Sequence, residues 1–253
     1  MVAAGLTPDT VEAGDPSPTR QSCLACHQVH TGYTVADWAL ETTAPVALYA
    51  FEDVTYDGGM GNLCANCHQP RIAIAAADPN GNIEVDSTHW GPHHGPQSAM
   101  LLGVGGAGDV IGLPSAHSSS MLVKNTCVTC HIGKDMSHTF EAVMSACLVC
   151  HSDAEDFDID GLQTEVAALI VQVRDLLLAK GLLVEEKEYE FNQDDGVIEE
   201  VVVGYEMVVG VYPAAEASAL WNYIMIEIED GSLGVHNPGY TKALLEAAVA
   251  ALQ

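Results

Sequence analysis

Basic side chains are scarce in this chain. Its 253 residues hold 8 Lys and Arg against 35 Asp and Glu, a formal net charge of −27. Nucleic acid and anionic membrane surfaces would both repel such a molecule, so binding to either is excluded. The acidity itself reads as solubility in a salty medium. Aromatic residues make up 6% of a chain that is 48% apolar, so the bulky fillers of an ordinary core are in short supply. No apolar run reaches the ~18 residues that a membrane-spanning helix needs. The apolar stretch that begins at Val166 is broken by Gln172 and Arg174 and reads as a packed helix. The first residues, Met1 to Gly5, have neither the basic nor the apolar region of a secretory signal.

A cysteine standing alone is also missing. All 8 fall into four repeats of one five-residue unit: Cys23-Leu-Ala-Cys26-His27, Cys64-Ala-Asn-Cys67-His68, Cys127-Val-Thr-Cys130-His131 and Cys147-Leu-Val-Cys150-His151. C-x-x-C-H is the haem c attachment motif. Two thiols three positions apart on a helical turn reach the two vinyl groups along one edge of the macrocycle. The next residue then aims its imidazole at the iron as proximal ligand. Zinc sites would use the cysteine pairs but give no reason for a histidine after each. Redox dithiols need a βαβ setting that is absent here, and a disulfide framework would not repeat one fixed unit. Four covalently bound haems, with His27, His68, His131 and His151 as proximal ligands, is the expectation. A chain with this chemistry is exported, so a signal removed ahead of Met1 is implied.

The 11 histidines leave seven beyond the motifs: His30, His89, His93, His94, His117, His138 and His236. Seven are enough for a second histidine on every iron. Two strong ligands per iron leave no open position for substrate, so such haems carry electrons rather than catalyse. His30 follows its motif histidine by three residues and cannot cross its own haem to reach the far face of that iron. It must serve another haem or none. Which of His89, His93 and His94 matters is left open by the residues alone.

The chain divides into three parts. Residues 1–22 are rich in Pro, Thr, Asp and Gly and read as an extended arm. Residues 23–151 carry all four motifs, with much Gly, Pro and Ser, and are too thin to bury a conventional core around four large cofactors. The haems are expected to form that core. Cys127 and Cys147 start motifs 20 residues apart, which forces their two haems close together. Residues 152–253 lack cysteine. The acidic run 153–160 reads as a solvated loop rather than a calcium site. Apolar positions Val166, Leu169, Ile170, Val173, Leu176 and Leu177 mark a helix over 162–180 that ends at Gly181. Segments 183–192 and 197–210 flank Asp194-Asp195-Gly196 and predict a β-hairpin. Helices are expected over 214–228 and 239–252, the latter opened by Asn237-Pro238.

Two resemblances add to this. The stretch from Cys127 to His151, with His138 between two motifs, and the late His236-Asn-Pro before a helix resemble pentahaem cytochrome c nitrite reductases and their multihaem relatives. That resemblance implies His138 as distal ligand of the first haem, His117 of the fourth and His236 of the third. The family's catalytic haem uses a Lys-ended motif, and no C-x-x-C-K occurs here, so nitrite reduction is not implied. The Cys23-x-x-Cys26-His27-x-x-His30 arrangement is similar to one in the polymeric extracellular cytochromes called cytochrome nanowires. In that group the second histidine ligates a haem of the adjacent subunit. His93 to Gln97 (His-His-Gly-Pro-Gln) also recurs among multihaem cytochromes. These resemblances cover the haem region and the final stretch of the chain and leave out the 183–212 hairpin.

The fold expected is therefore mostly irregular with short α-helices around a haem core, and a C-terminal helix and hairpin region that completes ligation. The expected function is electron transfer through four closely packed bis-His haems in a subunit of an extracellular conductive filament. His30 would be donated across the subunit junction, most simply to the second haem. Its partners would be copies of itself, head to tail, with other redox proteins or an extracellular electron acceptor at the ends. The alternative is a monomeric periplasmic shuttle in which His94 or His93 replaces His30. A third reading, an enzyme reducing a nitrogen or sulfur oxyanion at a five-coordinate haem, conflicts with four His-ended motifs and seven further histidines.

Overall fold

The computed structural model describes residues 22–29, 32–93, 95–191 and 198–253. Apart from Ser22, the expected N-terminal arm lies outside these residues, as do His30, His94 and the Asp194-Asp195-Gly196 turn.

Four short helices carry or adjoin the first two-thirds of the chain: α1 (Asn62–Ala65), α2 (Gln97–Leu102), α3 (Cys127–His131) and α4 (Met144–Cys147). α2 is bounded by Pro96 at its start and Gly103, at φ 72, at its end. The C-terminal part is different. In α5 (Leu162–Lys180), Val166, Ile170, Val173 and Leu177 recur every three or four residues and are all buried, which gives one apolar stripe. Gly181, at φ 75, ends the helix in the left-handed conformation that glycine adopts without strain. α7 (Pro238–Leu252) starts where expected: Asn237 Oδ1 accepts from the Tyr240 N–H at 3.2 Å and Pro238 occupies the first turn.

The helix expected over 214–228 changes character midway. α6 (Ala214–Tyr223) runs into a π-helical segment, Ile224–Asp230, which Gly231 ends at φ 63. The wider turn keeps Ile224, Met225 and Ile226 buried and brings Asp230 into the interior. α7 packs on both α5 and α6.

These helices share their core with an earlier part of the chain. Leu48, Tyr56, Val85, Trp90, Ala99 and Met100 are buried in the same apolar cluster as Leu220, Trp221 and Leu244. Trp90 meets Trp221 edge to face at 5.0 Å, and Trp221 Nε1 donates to the Gly105 carbonyl at 2.9 Å. Asn222 exchanges two hydrogen bonds with the Ala107 backbone. The expectation that 23–151 has no conventional core is therefore corrected for residues 46–107, which reach one by packing on the C-terminal helices.

Three two-stranded antiparallel sheets complete the described fold. β1 (Val46–Ala47) pairs with β2 (Thr55–Tyr56), β3 (Asn82–Val85) with β6 (Gly210–Pro213), and β4 (Leu183–Phe191) with β5 (Ile198–Met207). The second hairpin strand was expected to run to 210 but stops at Met207. Val208 N instead donates to the Leu182 carbonyl, and the chain crosses to pair Tyr212 with Ile83. The base of the hairpin is anchored through buried Leu183 and Met207, and Tyr205 packs against the same core. No helix among the described residues is long and apolar enough to cross a membrane.

Candidate haem-binding site

Each C-x-x-C-H unit folds as one tight turn. The histidine N–H donates to the carbonyl of the first cysteine at 2.8 Å in the first, second and fourth units, and the third unit is itself α3. One turn sets both thiols on the same side with the imidazole just beyond them, as attachment along one edge of a macrocycle requires.

The four turns are neighbours in chain order. Burial pushes the Cys26 thiol up, with help from the nearby charges of Cys67 and Cys23. Cys64 and Cys127 share a hydrogen bond that holds Cys127 down at about 5 and drives Cys64 up, as burial does. Burial also raises Cys130 to about 11, with Cys147 and Cys127 contributing. The first unit is thus near the second, the second is hydrogen-bonded to the third, and the third packs on the fourth through α3 and α4.

A buried polar junction joins the middle two. Tyr56 Oη donates to Thr126 Oγ1 at 2.7 Å, and Thr126 Oγ1 donates to the Gly58 carbonyl at 3.1 Å. Thr126, just before Cys127, holds φ at 38, an uncommon and costly value for a β-branched residue. Gly61 makes the approach feasible, because a Cβ there would lie 2.3 Å from Thr126 Oγ1.

Three histidines from outside the motifs face three motif histidines. The rings of His27 and His138 have centroids 6.2 Å apart, those of His131 and His236 6.3 Å, and those of His117 and His151 6.5 Å. An iron held by both Nε2 atoms at about 2 Å, each about 1.1 Å from its ring centre, separates two imidazoles by roughly 6.3 Å. The Nδ1 atoms are engaged on the other side of the rings. His27 Nδ1 meets the Trp38 carbonyl at 2.7 Å, His131 the Phe140 carbonyl at 2.8 Å, His138 the Met136 carbonyl at 2.9 Å and His117 the Val235 carbonyl at 2.7 Å. A carbonyl at Nδ1 selects the tautomer whose Nε2 lone pair is free for a metal.

His236 has a different partner. Its Nδ1 lies 2.7 Å from Oδ1 of Asp230, whose side chain is fully buried. Desolvation is the largest influence and works to neutralise His236, but the charge and hydrogen bond of Asp230 together with the Cys127 charge outweigh it, and the imidazole is held above its usual range.

The remaining motif histidine, His68, places Nδ1 3.0 Å from Gln97 Oε1. Gln97 Nε2 in turn donates to the carbonyls of Glu229 and Asp230. A Cβ added at Gly95 would lie 3.1 Å from His68 Nδ1, so this segment covers the edge of the ring away from Nε2. His30 and His94, two of the candidates for facing His68, lie outside the described residues. His93 takes a left-handed φ of 59, and His89 is exposed.

The residues present fit haem c in a further respect. Large apolar side chains stand exposed next to the candidate ligands in sequence: Val149 within the fourth unit, Phe140 after His138, and Ile111, Leu113 and Met121 around His117. A macrocycle is an apolar plate that would cover such surfaces. The acidic run expected to be a loop over 153–160 is one as far as Asp158, and its last two residues enter a 3-10 turn, Ile159–Gly161. Asp158 caps the start of α5, accepting from the N–H groups of Gln163 and Thr164 and from the Thr164 hydroxyl.

Asp230, Gln97 as a partner of His68, and the carbonyls of Trp38, Phe140 and Val235 were not legible as site groups. A carbonyl carries no residue-type signal, and Asp230 is one of 35 acidic residues.

No protein-family model matches the chain, and no curated protein matches it. Among solved structures, the chain is similar to one described as the crystal structure of outer cell wall cytochrome OcwA. The TM-score is 0.55 at 22% identity over 92% of this chain. The chain spans 39% of the length of that protein, and the likeness is one of fold.

Proposed function

We propose that the chain carries four c-type haems and passes electrons along them in the order of its motifs. The observation that carries this reading is the set of three facing imidazole pairs, each joining one motif histidine to one histidine from elsewhere at the spacing an iron needs. When bound, the haems supply reversible one-electron chemistry. The chain's own residues do the rest. Cys23, Cys26, Cys64, Cys67, Cys127, Cys130, Cys147 and Cys150 tether the macrocycles. His27 with His138, His131 with His236, and His151 with His117 close both axial positions of the first, third and fourth irons. Two histidines on each of these three irons leave them no site for substrate, as an electron carrier requires. The fold likeness to an outer cell wall cytochrome supports a cytochrome working outside the cell.

The finer reading is a subunit of an extracellular filament, in which His30 completes the second haem of the next subunit. The covering of the Nδ1 edge of His68 by Gly95 and Gln97 supports it. Gly95 and Gln97 themselves lie at the Nδ1 edge of His68, on the proximal side of the second macrocycle, which favours a ligand for the far side that comes from another part of the assembly. Head-to-tail ligation that does not close would generate a fibre.

Mass determination and electron microscopy of the exported protein test both levels. Four haems per chain are expected, in filaments with a regular repeat, and His30→Ala should keep four haems but lose the filaments. Fewer haems would overturn the carrier reading. A monodisperse four-haem monomer would replace the filament with a periplasmic shuttle.

A further inference from the structure

Among the described residues, the imidazole pairs differ in what holds their Nδ1 atoms. Four of the six rings are held by neutral backbone carbonyls, whereas His236 is held by a carboxylate. Asp230 is not a surface residue that happens to reach a histidine. Its side chain has no exposed area, and it sits at the end of the π-helical segment, six residues before His236. Ser232 fixes its second oxygen: both the Ser232 hydroxyl and backbone N–H donate to Oδ2. The Ser232 hydroxyl oxygen also accepts from the His236 N–H at 3.3 Å. The loop 230–236 is thus wrapped around one carboxylate–imidazole contact.

We infer that Asp230 is a positioning residue that tunes the third haem, making it the most reducing of the three paired sites. This rests on His236 being the distal ligand of that haem. A carboxylate at Nδ1 draws the ring proton towards itself and makes Nε2 a stronger donor, which favours ferric over ferrous iron. A buried negative charge close to the metal acts in the same direction, because little solvent screens it. The carbonyls at His27, His138, His131 and His117 do the first of these weakly and the second not at all. In the spatial order of the motifs, the third haem is then an interior step that electrons cross rather than occupy. Gln97 links this step to the second site, since it bridges His68 and the carbonyl of Asp230.

The test uses the haem-loaded protein, with haem number checked by mass and individual potentials read by spectroelectrochemical titration followed by EPR. In Asp230→Asn one of the four potentials should rise while that haem stays low-spin. Ser232→Ala removes a hydrogen bond that draws charge off Oδ2, so the same potential should fall. If Asp230→Asn does not load haem, Ser232→Ala decides alone. Potentials unmoved from wild type in the variants that load overturn the inference. His236→Met separates it from the ligation reading. If that variant leaves every haem spectrum and potential unchanged, His236 is no ligand and both fall. If it alters one haem while Asp230→Asn shifts none, only the tuning role is rejected.

Discussion

His117 meets the carbonyl of Val235 at 2.7 Å, and Val235 is the residue before His236. One short segment therefore orients both His117 and His236, the histidines that face His151 and His131. It is tightly bent: Leu233 and Gly234 take φ values of 50 and 88. The two sites should respond together to any change in this segment.

Gly234→Ala is the direct check. An added Cβ would lie 3.0 Å from Val166 Cγ2 at a φ that only glycine holds easily, and strain of about 1–3 kcal/mol is expected. EPR of the loaded variant should show altered signals from two of the four haems, with the His27–His138 site unchanged.

Ring orientation distinguishes the sites spectroscopically. The His117 and His151 planes cross at 71°, whereas the His27–His138 and His131–His236 pairs cross at 45° and 46°. Parallel imidazoles donate into one iron d orbital and split the pair, whereas crossed rings leave the two nearly equal. Low-temperature EPR should give a strongly anisotropic low-spin signal for the fourth haem. His117→Ala should remove that signal and produce a high-spin one.

Asn237 joins the start of α7 to the end of α2. Its Nδ2 donates to the carbonyls of Met100 and Leu113 at 3.0 and 2.9 Å, and its Oδ1 caps the helix. Asn237→Ala removes the cap and the donor to the Leu113 carbonyl, whereas the Met100 carbonyl keeps the Gly103 N–H at 3.0 Å, so a loss of about 1–3 kcal/mol is expected in denaturant unfolding of the loaded protein.

Asp158 contributes pH dependence at the other end of the helical region. Hydrogen bonds from the Thr164 hydroxyl and from the N–H groups of Thr164 and Gln163 hold its carboxyl below the ordinary value of 3.8. A depressed carboxylate stabilises the fold above its unfolded pKa and loses that contribution as pH falls through the folded value. The melting temperature should therefore fall on acidification from pH 5 to below 3.8, and Asp158→Asn should flatten that limb.

What the sequence determined by itself was local. The spacing within each Cys-x-x-Cys-His unit fits a single turn, and the structure forms that turn at all four. The period of Val166, Ile170, Val173 and Leu177 marked α5 over Leu162–Lys180, and Asn237-Pro238 marked the start of α7, because caps and amphipathic stripes are written in a few adjacent residues. The resemblance to multihaem relatives named the pairings of His117, His138 and His236, and the structure brings those histidines to those motifs. Spacing alone could not do so, since loops of very different length close at similar entropic cost.

Tertiary structure decided what depends on distant parts of the chain. Residues 46–107 lie on the C-terminal helices because their apolar side chains had no other surface to bury against. β5 stops at Met207 because β3, more than a hundred residues earlier, offers a better edge to Gly210–Pro213. Asp230 became the partner of His236 only once a π-helical turn carried it inside, and nothing in its neighbours sets it apart from the other acidic side chains. Coordination chemistry is visible in residue type and spacing, whereas the surroundings that tune it are assembled from backbone carbonyls and buried charges that only the packed chain brings together.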